Sequence, residues 1–370
     1  MVSKHADHTD GAMREGTHMD TIRFGVIGTS MISENFIETL RGCPDARYVG
    51  SMGMTSEESA AATERNGGTV PFASLEELTA SDAVDAVYIA TPNAIHYGEA
   101  LPLVEAGKHV MVEKPLSSDA AKARNLIRAA RAKGVVAMEA MRPVHDPGIA
   151  RIKELAERIA PIRRATLRYG KYSSRYDDLL AGRHTNIFDT HMATGALMDL
   201  GIYCVETMVY LFGAPKSISC SPVMVTGYDC ELTHGAIDGL GTIVARYDDK
   251  VVELAYSKIS QDLALNQIEG ERGTITFENM SAPDAGTLHL RGRAVRNAAK
   301  ATAQSIGDRE EPIAFEPCDN NMVYELEHFV ACVKGDRDVA PYQEVSLASL
   351  EVMDEARRQA GIVFPGDGEV

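Results

Sequence analysis

Three side chains in this sequence have the types and spacing that proton transfer requires. Lys114 lies near the end of a short apolar run, VMVEKPL at residues 110–116, and Asp199 and Tyr203 lie four residues apart in an apolar segment. Residues four apart share one face of a helix, so this carboxylate and this phenol should point the same way. A tyrosine can exchange protons near neutral pH when a cation favours its phenolate. We therefore predict a catalytic set of Lys114, Asp199 and Tyr203.

Each of these residues also has a purely structural interpretation. Lys114 could be a solvated charge after a strand, Asp199 a buried cap and Tyr203 a packed core residue. The C-terminal end of a buried parallel strand, however, faces the crevice where open α/β sheets bind ligands. Pro115 also keeps Lys114 out of helical geometry. We interpret Cys204, next to Tyr203, as packing on another side of the helix.

Strands and helices must position these residues, and the two kinds of element alternate in the first half of the chain. The pattern predicts strands over 22–27, 48–52, 86–90, 109–112 and 135–139, and helices over 34–41, 57–66, 75–79, 96–106 and 118–133. Alternation of this kind is typical of a doubly wound α/β fold with a parallel sheet. We assign residues 21–142 to a dinucleotide-binding Rossmann domain.

The second half of the chain has a different pattern. It predicts helices over 146–159, 195–212, 321–334 and 345–361, and strands over 165–172, 242–247, 251–255 and 274–277. The polar stretch 291–311 is predicted to be a loop. Residues 143–370 should therefore form an α+β domain with a large, mainly antiparallel open sheet, and the exposed face of such a sheet usually needs to be covered.

The turn after the first strand has the layout of a diphosphate site. Strand, small-residue turn and helix place a diphosphate at a helix N-terminus. Only Gly28 of the glycine fingerprint is present, because Ser30 and Ser33 stand where the other glycines belong. A positive φ at Ser30 would be costly. The predicted cofactor contacts in this turn are Gly28, Thr29, Ser30, Met31 and Ile32.

The composition of the chain limits the classes of partner that it is expected to bind. The chain has 370 residues, a net charge of −16 and six scattered cysteines without a Cys-x-x-Cys pair. An acidic chain lacks the footprint that nucleic acid or an anionic membrane surface would require. No run approaches the length of a membrane span, and no signal-peptide core is present. We expect reduced thiols, no bound metal, a cytoplasmic location and a disordered tail over residues 1–20.

Three motifs together resemble the Gfo/Idh/MocA oxidoreductases, the family of glucose–fructose oxidoreductase and inositol dehydrogenase. They are ATPNAIH at 90–96, AGKHVMVEKPL at 106–116 and GALMDLGIY at 195–203. The resemblance extends from Ile22 to Pro365. The third motif is similar to the branch that contains dihydrodiol dehydrogenase and NADP-dependent D-xylose dehydrogenases, whereas other branches have histidine at the position of Tyr203.

The resemblance implies roles for individual residues. Tyr203 would exchange a proton with the substrate oxygen, while Lys114 would lower the pKa of Tyr203 and hold that oxygen. Asp199 would orient the substrate, and Glu113 would contact the cofactor ribose. The dinucleotide cleft would be lined by Thr91, Pro92, Asn93 and His96. The second-domain sheet of such proteins often forms an interface, so we expect a homodimer or homotetramer.

Two departures from the family pattern affect the cofactor. The family usually has an aromatic residue followed by arginine after the last strand of the first sheet, and this chain has MRPVH at 141–145. An acid after the second strand would favour NAD by binding the ribose 2′-hydroxyl. This chain has GMTS at 53–56 instead, with no acid to repel a 2′-phosphate and no arginine to bind it. Thr55 and Ser56 could donate to that phosphate, so NADP is favoured over NAD.

Polar residues of the second half could contact substrate. Tyr172 and Arg175 lie in a segment that resembles a family substrate segment, although Arg175 could equally pair with Asp177 or Asp178. His184 and His191 precede the helix with the catalytic motif, and each is a weaker candidate for substrate contact.

The combined prediction is an NAD(P)-dependent dehydrogenase or reductase that acts on a hydroxyl or carbonyl of a sugar, polyol or related small molecule. Two alternatives stay open at this point. The degraded glycine turn would also suit a catalytically silent dinucleotide or metabolite sensor. A redox-neutral lyase or glycosidase that uses tightly bound NAD⁺ is a third possibility.

Overall fold

The computed structural model describes residues 21–225, 230–297 and 302–369. The predicted tail over residues 1–20 lies outside these ranges, so that prediction is not tested. Among the described residues, Cys43, Cys204, Cys220, Cys318 and Cys332 are free thiols.

The first half of the chain folds around a five-stranded parallel sheet. Its strands are β1 (Ile22–Ile27), β2 (Ala46–Met52), β3 (Ala86–Ile89), β4 (His109–Glu113) and β5 (Ala137–Ala140), in the order β2-β1-β3-β4-β5. Helices cover both faces: α1 (Met31–Arg41), α2 (Ser56–Arg65), α3 (Leu75–Ala80), α4 (His96–Glu105) and α5 (Ala120–Lys133). The strand order reverses between β1 and β3, so a ligand crevice is expected at the carboxyl ends of these strands.

The second half folds around an eight-stranded sheet. Its strands are β6 (Ile162–Gly170), β7 (Ser217–Met224), β8 (Asp238–Arg246), β9 (Val251–Ser257), β10 (Asn266–Gly270), β11 (Gly273–Phe277), β12 (Gly286–Leu290) and β15 (Arg309–Pro312). Their order in the sheet is β15-β12-β11-β10-β6-β9-β8-β7. Only the β6–β9 pair is parallel among these neighbours. The predicted fold class, a parallel Rossmann sheet followed by a mainly antiparallel one, is confirmed.

The remaining helices are α6 (Arg142–His145), α7 (Pro147–Ile159), α8 (Ser174–Leu180), α9 (Ile202–Phe212), α10 (Cys230–Thr233), α11 (Met322–Lys334) and α12 (Ala340–Ala360). Helices α7, α9 and α12 contribute to the core on one face of the second sheet. Alternate residues of β6, such as Ala165 and Leu167, are fully buried there, which is the period-two pattern of a sheet with one covered face.

The last two helices return to the first sheet. The Phe329 ring of α11 lies 5.7 Å from the Phe24 ring of β1. Leu350 of α12 packs in the cluster around β4 and α5, while Met353, three residues later, belongs to the second-sheet core. Helix α12 therefore joins both cores. The domain boundary at residues 142 and 143 stays a prediction.

The predicted loop over residues 291–311 is wrong. This stretch contains a two-stranded hairpin, β13 (Arg293–Asn297) with β14 (Thr302–Ile306), and the edge strand β15. Exposed side chains such as Val295 and Ile306 show that the described part of the hairpin packs against no core. The side chains of the hairpin whose burial is described are exposed, so they give none of the alternating apolar pattern by which strands are recognised.

The predicted continuous α-helix over 195–212 is also wrong in part. Residues Leu197–Gly201 form a π-helical turn, and α9 follows it. By length and composition the segment Thr190–Phe212 could cross a membrane, but 72% of its most apolar window is buried inside the protein. It is a core element of the second domain. Single π-helical turns occur frequently at functional sites.

Candidate active site

A cavity of about 510 Å³ opens at the carboxyl ends of β1, β3 and β4. It is bounded on its other side by the π-helical turn and α9. Its lining residues are Ser30, Ile32, Ala90, Thr91, Pro92, Asn93, Glu113, Lys114, Ala140, Arg142, Asn186, Ile187, Thr194, Asp199 and Tyr203. Most of the predicted catalytic and cleft residues are thus brought together at the place where a doubly wound sheet binds its ligand.

The glycine turn at the mouth of this cavity is unstrained. Gly28 has a φ of 104°, and a Cβ atom there would lie 2.7 Å from the carbonyl oxygen of Ala90. Only glycine fits this position. Ser30 has a φ of −78° and precedes the first residue of α1. The left-handed conformation that would have been costly at Ser30 is therefore not required, and the helix N-terminus remains suited to an anion.

Lys114 directly follows β4 and points at the π-helical turn. Its Nζ atom donates to Oδ1 of Asp199 at 2.6 Å and to the Asp199 carbonyl oxygen at 3.0 Å. The same Nζ lies 5.2 Å from the ring centroid of Tyr203. The three predicted catalytic residues therefore form one contiguous group, although the turn that carries Asp199 is not the α-helix that the four-residue spacing suggested.

A second lysine, absent from the sequence prediction, completes this group. Lys258 follows β9 and pairs through Nζ with Oδ2 of Asp199, the oxygen that Lys114 leaves free. Its side chain is only 8% exposed. Lys258 lies 59 residues from Asp199 in the chain. In the sequence it is marked only by its place shortly after a predicted strand, which does not indicate a contact with Asp199.

The buried charges of the group support one another. Burial raises the pKa of the Asp199 carboxyl, but Lys114 and Lys258 outweigh it and hold this pKa well below the ordinary range. Burial lowers the pKa of the Lys114 ammonium, whereas Asp199, Tyr203 and Glu113 together raise it above its usual range. Asp199 is therefore ionised and Lys114 protonated throughout the physiological range.

Two opposing effects act on the pKa of Tyr203. Burial raises the pKa of its phenol, and Lys114 lowers it, as predicted, but burial is the larger effect and the pKa stays above the ordinary range. The phenol is neutral near pH 7 and is a proton donor to any basic atom placed beside it. The ring of Tyr169 packs against it, with centroids 4.8 Å apart.

The other cleft residues have identifiable neighbours. Glu113 accepts a hydrogen bond from Tyr88 at 2.6 Å, and Thr91 donates to Glu99 at 2.6 Å. Burial raises the pKa of Glu99 to about 6, against the opposing effect of Thr91. His96 is fully buried behind the cavity wall, where its ring nitrogens face the carbonyl oxygens of Thr91 and Pro115.

Several predicted contacts lie away from the cavity lining among the described residues. They are Gly28, Thr29, Met31, Thr55, Ser56, His96, Tyr172 and Arg175. Thr55 caps α2 by accepting from the Glu58 amide. The Tyr172 hydroxyl donates to Asp177 at 2.6 Å, and Arg175 lies 3.9 Å from Asp178, as its ion-pair alternative predicted. Their contact with substrate stays a prediction.

Six lining residues were not predicted as contacts, and two of them, Ala90 and Ala140, are alanines. Arg142 lines the cavity from the segment 141–145, which departs from the family pattern. Asn186, Ile187 and Thr194 come from a segment of two short 3-10 turns between α8 and the π-helical turn, which has no periodic sequence signal. This segment meets the first domain where the Asn93 side chain donates to the Ala193 carbonyl at 2.8 Å.

The π-helical turn is held in place by a buried acid. Oδ2 of Asp238 accepts from the backbone amide of Leu197 at 2.7 Å. Burial raises the pKa of Asp238 to about 7, although hydrogen bonds from backbone amides lower it. Protonation of Asp238 is therefore easier in the folded protein than in the unfolded chain.

This shift gives a pH-dependent stability. The stabilisation from Asp238 is full at low pH and is lost as pH rises from about 4 through about 7, because the unfolded carboxyl ionises first. We expect Asp238 alone to lower the free energy of unfolding by roughly 1 kcal/mol between pH 6 and pH 8. Thermal melting of the wild type and of Asp238→Asn at both pH values measures this effect. An equal pH-dependent change in both proteins would contradict it.

The fold and the site together define a class of two-domain, dinucleotide-dependent oxidoreductases, and comparison with known proteins gives the family. Residues 22–141 match the model of the oxidoreductase family with an NAD-binding Rossmann fold, and residues 150–276 match the GFO/IDH/MocA C-terminal domain. The chain belongs to the Gfo/Idh/MocA family, as the motifs indicated. The prediction of an NAD(P)-dependent oxidoreductase is confirmed at this level.

Particular relatives cover nearly the whole chain. One is scyllo-inositol 2-dehydrogenase (NADP(+)) IolU of Bacillus subtilis, 36% identical over 94% of this chain and 99% of that protein. Another is mouse trans-1,2-dihydrobenzene-1,2-diol dehydrogenase, 27% identical over 94% of this chain and 99% of its own length. Among solved structures, KijD10, a 3-ketoreductase from Actinomadura kijaniata in complex with NADP and TDP-benzene, superposes with a TM-score of 0.77. At 20% identity over 92% of this chain and 98% of that one, this likeness supports the fold.

Proposed function

We propose that this protein is an NADP-dependent dehydrogenase or reductase that interconverts a secondary alcohol and a ketone on a cyclic polyol or sugar. The observation that carries the proposal is the group of Lys114, Asp199 and Tyr203 at the inner end of the dinucleotide crevice. The similarity to an NADP-dependent inositol dehydrogenase over almost the full length supports both the cofactor and the substrate class.

The residues present fit a dinucleotide. Gly28 allows the backbone to approach closely, α1 offers its N-terminus, and the cavity extends from Ser30 to Tyr203. Glu113 and Asn93 would hold the nicotinamide-side ribose, and Arg142 would line the same end. The bound nicotinamide supplies or accepts the hydride. The residues of the chain must orient the substrate carbon and transfer one proton to or from the substrate oxygen.

Tyr203 transfers that proton. In the reducing direction the neutral phenol donates its proton to the substrate carbonyl oxygen as negative charge develops there. The Lys114 ammonium stabilises this charge and favours the phenolate that remains. In the oxidising direction the same groups act in reverse, so the rate should rise with pH. Asp199 keeps Lys114 protonated and aimed at the substrate oxygen.

The function is tested by two measurements on the purified protein. Titration with NADPH and NADH, followed by nicotinamide fluorescence, should show saturable binding with NADPH tighter. A panel of inositols, aldoses and their keto derivatives should then reveal turnover with the preferred cofactor. Binding of neither cofactor to well-folded protein would overturn the dehydrogenase proposal. Binding without turnover across the panel would instead favour the sensor.

Cofactor preference should depend on the segment after β2. An acid at position 56 would repel a 2′-phosphate, while an acid in the first turn of α2 is compatible with the helix. We expect Ser56→Asp to weaken NADPH binding at least about tenfold, which corresponds to about 1.4 kcal/mol, and to leave NADH binding nearly unchanged. Ser56→Asn is the neutral control. Equal weakening of both cofactors would show that the 2′-phosphate does not lie near Ser56.

Three further expectations remain proposals. We infer a homo-oligomer and a cytoplasmic location, and we place Tyr172 and Arg175 at the substrate side of the second domain. The outer face of the second sheet carries ion pairs, including Arg164–Glu269 and Arg168–Asp262. Light scattering coupled to size-exclusion chromatography tests whether a second subunit covers this face.

A further inference from the structure

A second polar cluster lies behind the wall of the active-site cavity. Its centre is Asp189, whose side chain is only 1% exposed. His184 contacts one carboxylate oxygen, with Nε2 2.7 Å from Oδ2, and His234 contacts the other, with Nδ1 2.8 Å from Oδ1. The three residues come from two different segments, the stretch before the π-helical turn and the stretch after α10. Neither the catalytic group nor the cofactor crevice accounts for them.

This set of ligand atoms is that of a metal site. One nitrogen from each histidine and a carboxylate oxygen all lie within 4.8 Å of one another. Imidazole and carboxylate are ligands that zinc prefers, with bond lengths of about 2.0–2.2 Å. Two ligands on one such ion lie roughly 3 Å apart. The observed separations of 2.7 and 2.8 Å are hydrogen bonds to the two different oxygens of Asp189, so the side chains must rotate before one ion can take the place of both bonds.

The surroundings of the cluster favour a stable but accessible site. The backbone amide of His191 donates to Oδ1 of Asp189 at 2.8 Å, which orients the carboxylate from behind. The His191 ring stacks on His234 with centroids 4.1 Å apart and fixes that imidazole. The side chains of His184 and His234 are 42% and 39% exposed, so an ion can enter from solvent.

We propose that His184, Asp189 and His234 bind one divalent transition-metal ion, with zinc as the test ion. The ion joins two segments that also meet through a hydrogen bond, ring stacking and the apolar cluster that contains Phe188 and Ile237. One of them carries Asn186 and Thr194, which line the active-site cavity, and the Thr194 hydroxyl donates to the Asn186 carbonyl at 2.6 Å and contacts that of Asp189 at 3.0 Å. A bound ion therefore braces the substrate-side wall.

The test needs a protein without competing histidines in its N-terminal tail. The background is the full-length chain with His5, His8 and His18 replaced by alanine. This protein is freed of metal with a chelator and titrated with Zn²⁺ and, separately, with Co²⁺. We expect one equivalent of Zn²⁺ by elemental analysis after dialysis. A Co²⁺ visible absorption band should saturate at one equivalent and be displaced by Zn²⁺. Absence of binding in this folded protein overturns the proposal.

Matched variants separate a metal site from a hydrogen-bonded cluster. Glutamine at position 184 and asparagine at position 234 can still donate to Asp189, but their amides are poor ligands for zinc. His234 has a φ of 52°, a conformation that asparagine tolerates. We expect the double variant His184→Gln/His234→Asn to keep NADPH binding and to bind Zn²⁺ at least about a hundredfold more weakly. Unchanged Zn²⁺ binding in this variant would also overturn the proposal.

The outcome of these metal-binding measurements does not depend on whether the protein turns over a substrate. Metal content and the Co²⁺ spectrum are measured without substrate, so a failure of the proposed dehydrogenase function leaves this test intact. If the double variant does not fold, the Co²⁺ titration of the background protein alone still decides the question.

Discussion

Replacement of Tyr203 by phenylalanine should lower kcat by about 10²–10⁴-fold in both reaction directions. The substitution removes the only proposed proton donor and keeps the ring that packs against Tyr169. NADPH affinity should stay within about twofold of the wild type, because the phenol hydroxyl is not proposed to bind the cofactor. Single-turnover measurement of hydride transfer, with the substrate identified by the panel, separates this loss from slow product release.

Tyr169, whose ring packs against Tyr203, provides a matched control. Tyr169 is a neighbouring phenol whose hydroxyl contacts Ser281 at 3.3 Å and is not proposed to transfer protons. We expect Tyr169→Phe to change kcat by less than about fivefold, well below the contribution of general acid–base catalysis. If Tyr203→Phe were as active as Tyr169→Phe, another group would have to supply the proton.

Replacement of Lys258 by methionine should also lower activity strongly. Two lysines and one carboxylate give the buried group a net charge of +1, and removal of Lys258 reduces that charge to zero. Less positive potential then remains to stabilise a developing oxyanion. We expect kcat/KM to fall by about 10–100-fold, with a smaller loss than for Lys114→Met, since Lys114 is the proposed substrate contact. Stopped-flow measurements at fixed NADPH follow the change.

The conservative variant distinguishes electrostatics from packing. Lys258→Arg keeps the positive charge, so it should recover part of the activity that Lys258→Met loses. A merely structural role would give a different result, namely a lower melting temperature in Lys258→Met with an unchanged kcat/KM for the remaining folded enzyme. That outcome would remove Lys258 from the proposed mechanism.

The first domain was predictable because its strands are buried on both faces. A run such as Val110–Val112 is apolar without interruption, and a stop signal such as Gly134 follows the helix after it. The hairpin of β13 and β14 was not predictable, because its described side chains are exposed and exposed strands show no apolar alternation. The π-helical turn was not predictable either, since one additional residue in a turn leaves the apolar composition unchanged.

The candidate site was predictable only where motif and periodicity coincide. Asp199 and Tyr203 could be found from their spacing, and Lys114 from its place after a strand. Lys258 could not, because its contact with Asp199 depends on the packing of β9 against the π-helical turn, two elements far apart in the sequence. The net direction of the Tyr203 pKa shift could not be predicted for a related reason: the burial that outweighs the effect of Lys114 depends on the assembled fold.

The packing of the last two helices against the first sheet affects how the chain can fold during its synthesis. Phe24 and Phe36 of the N-terminal part share a core cluster with Met322 and Phe329, which are synthesised some 300 residues later. The nucleotide-binding half cannot complete its hydrophobic core while the ribosome is still producing the second sheet. One of its faces stays partly uncovered and vulnerable to aggregation until the C-terminal helices emerge. The two halves should consequently reach their native state together, in a late and cooperative step.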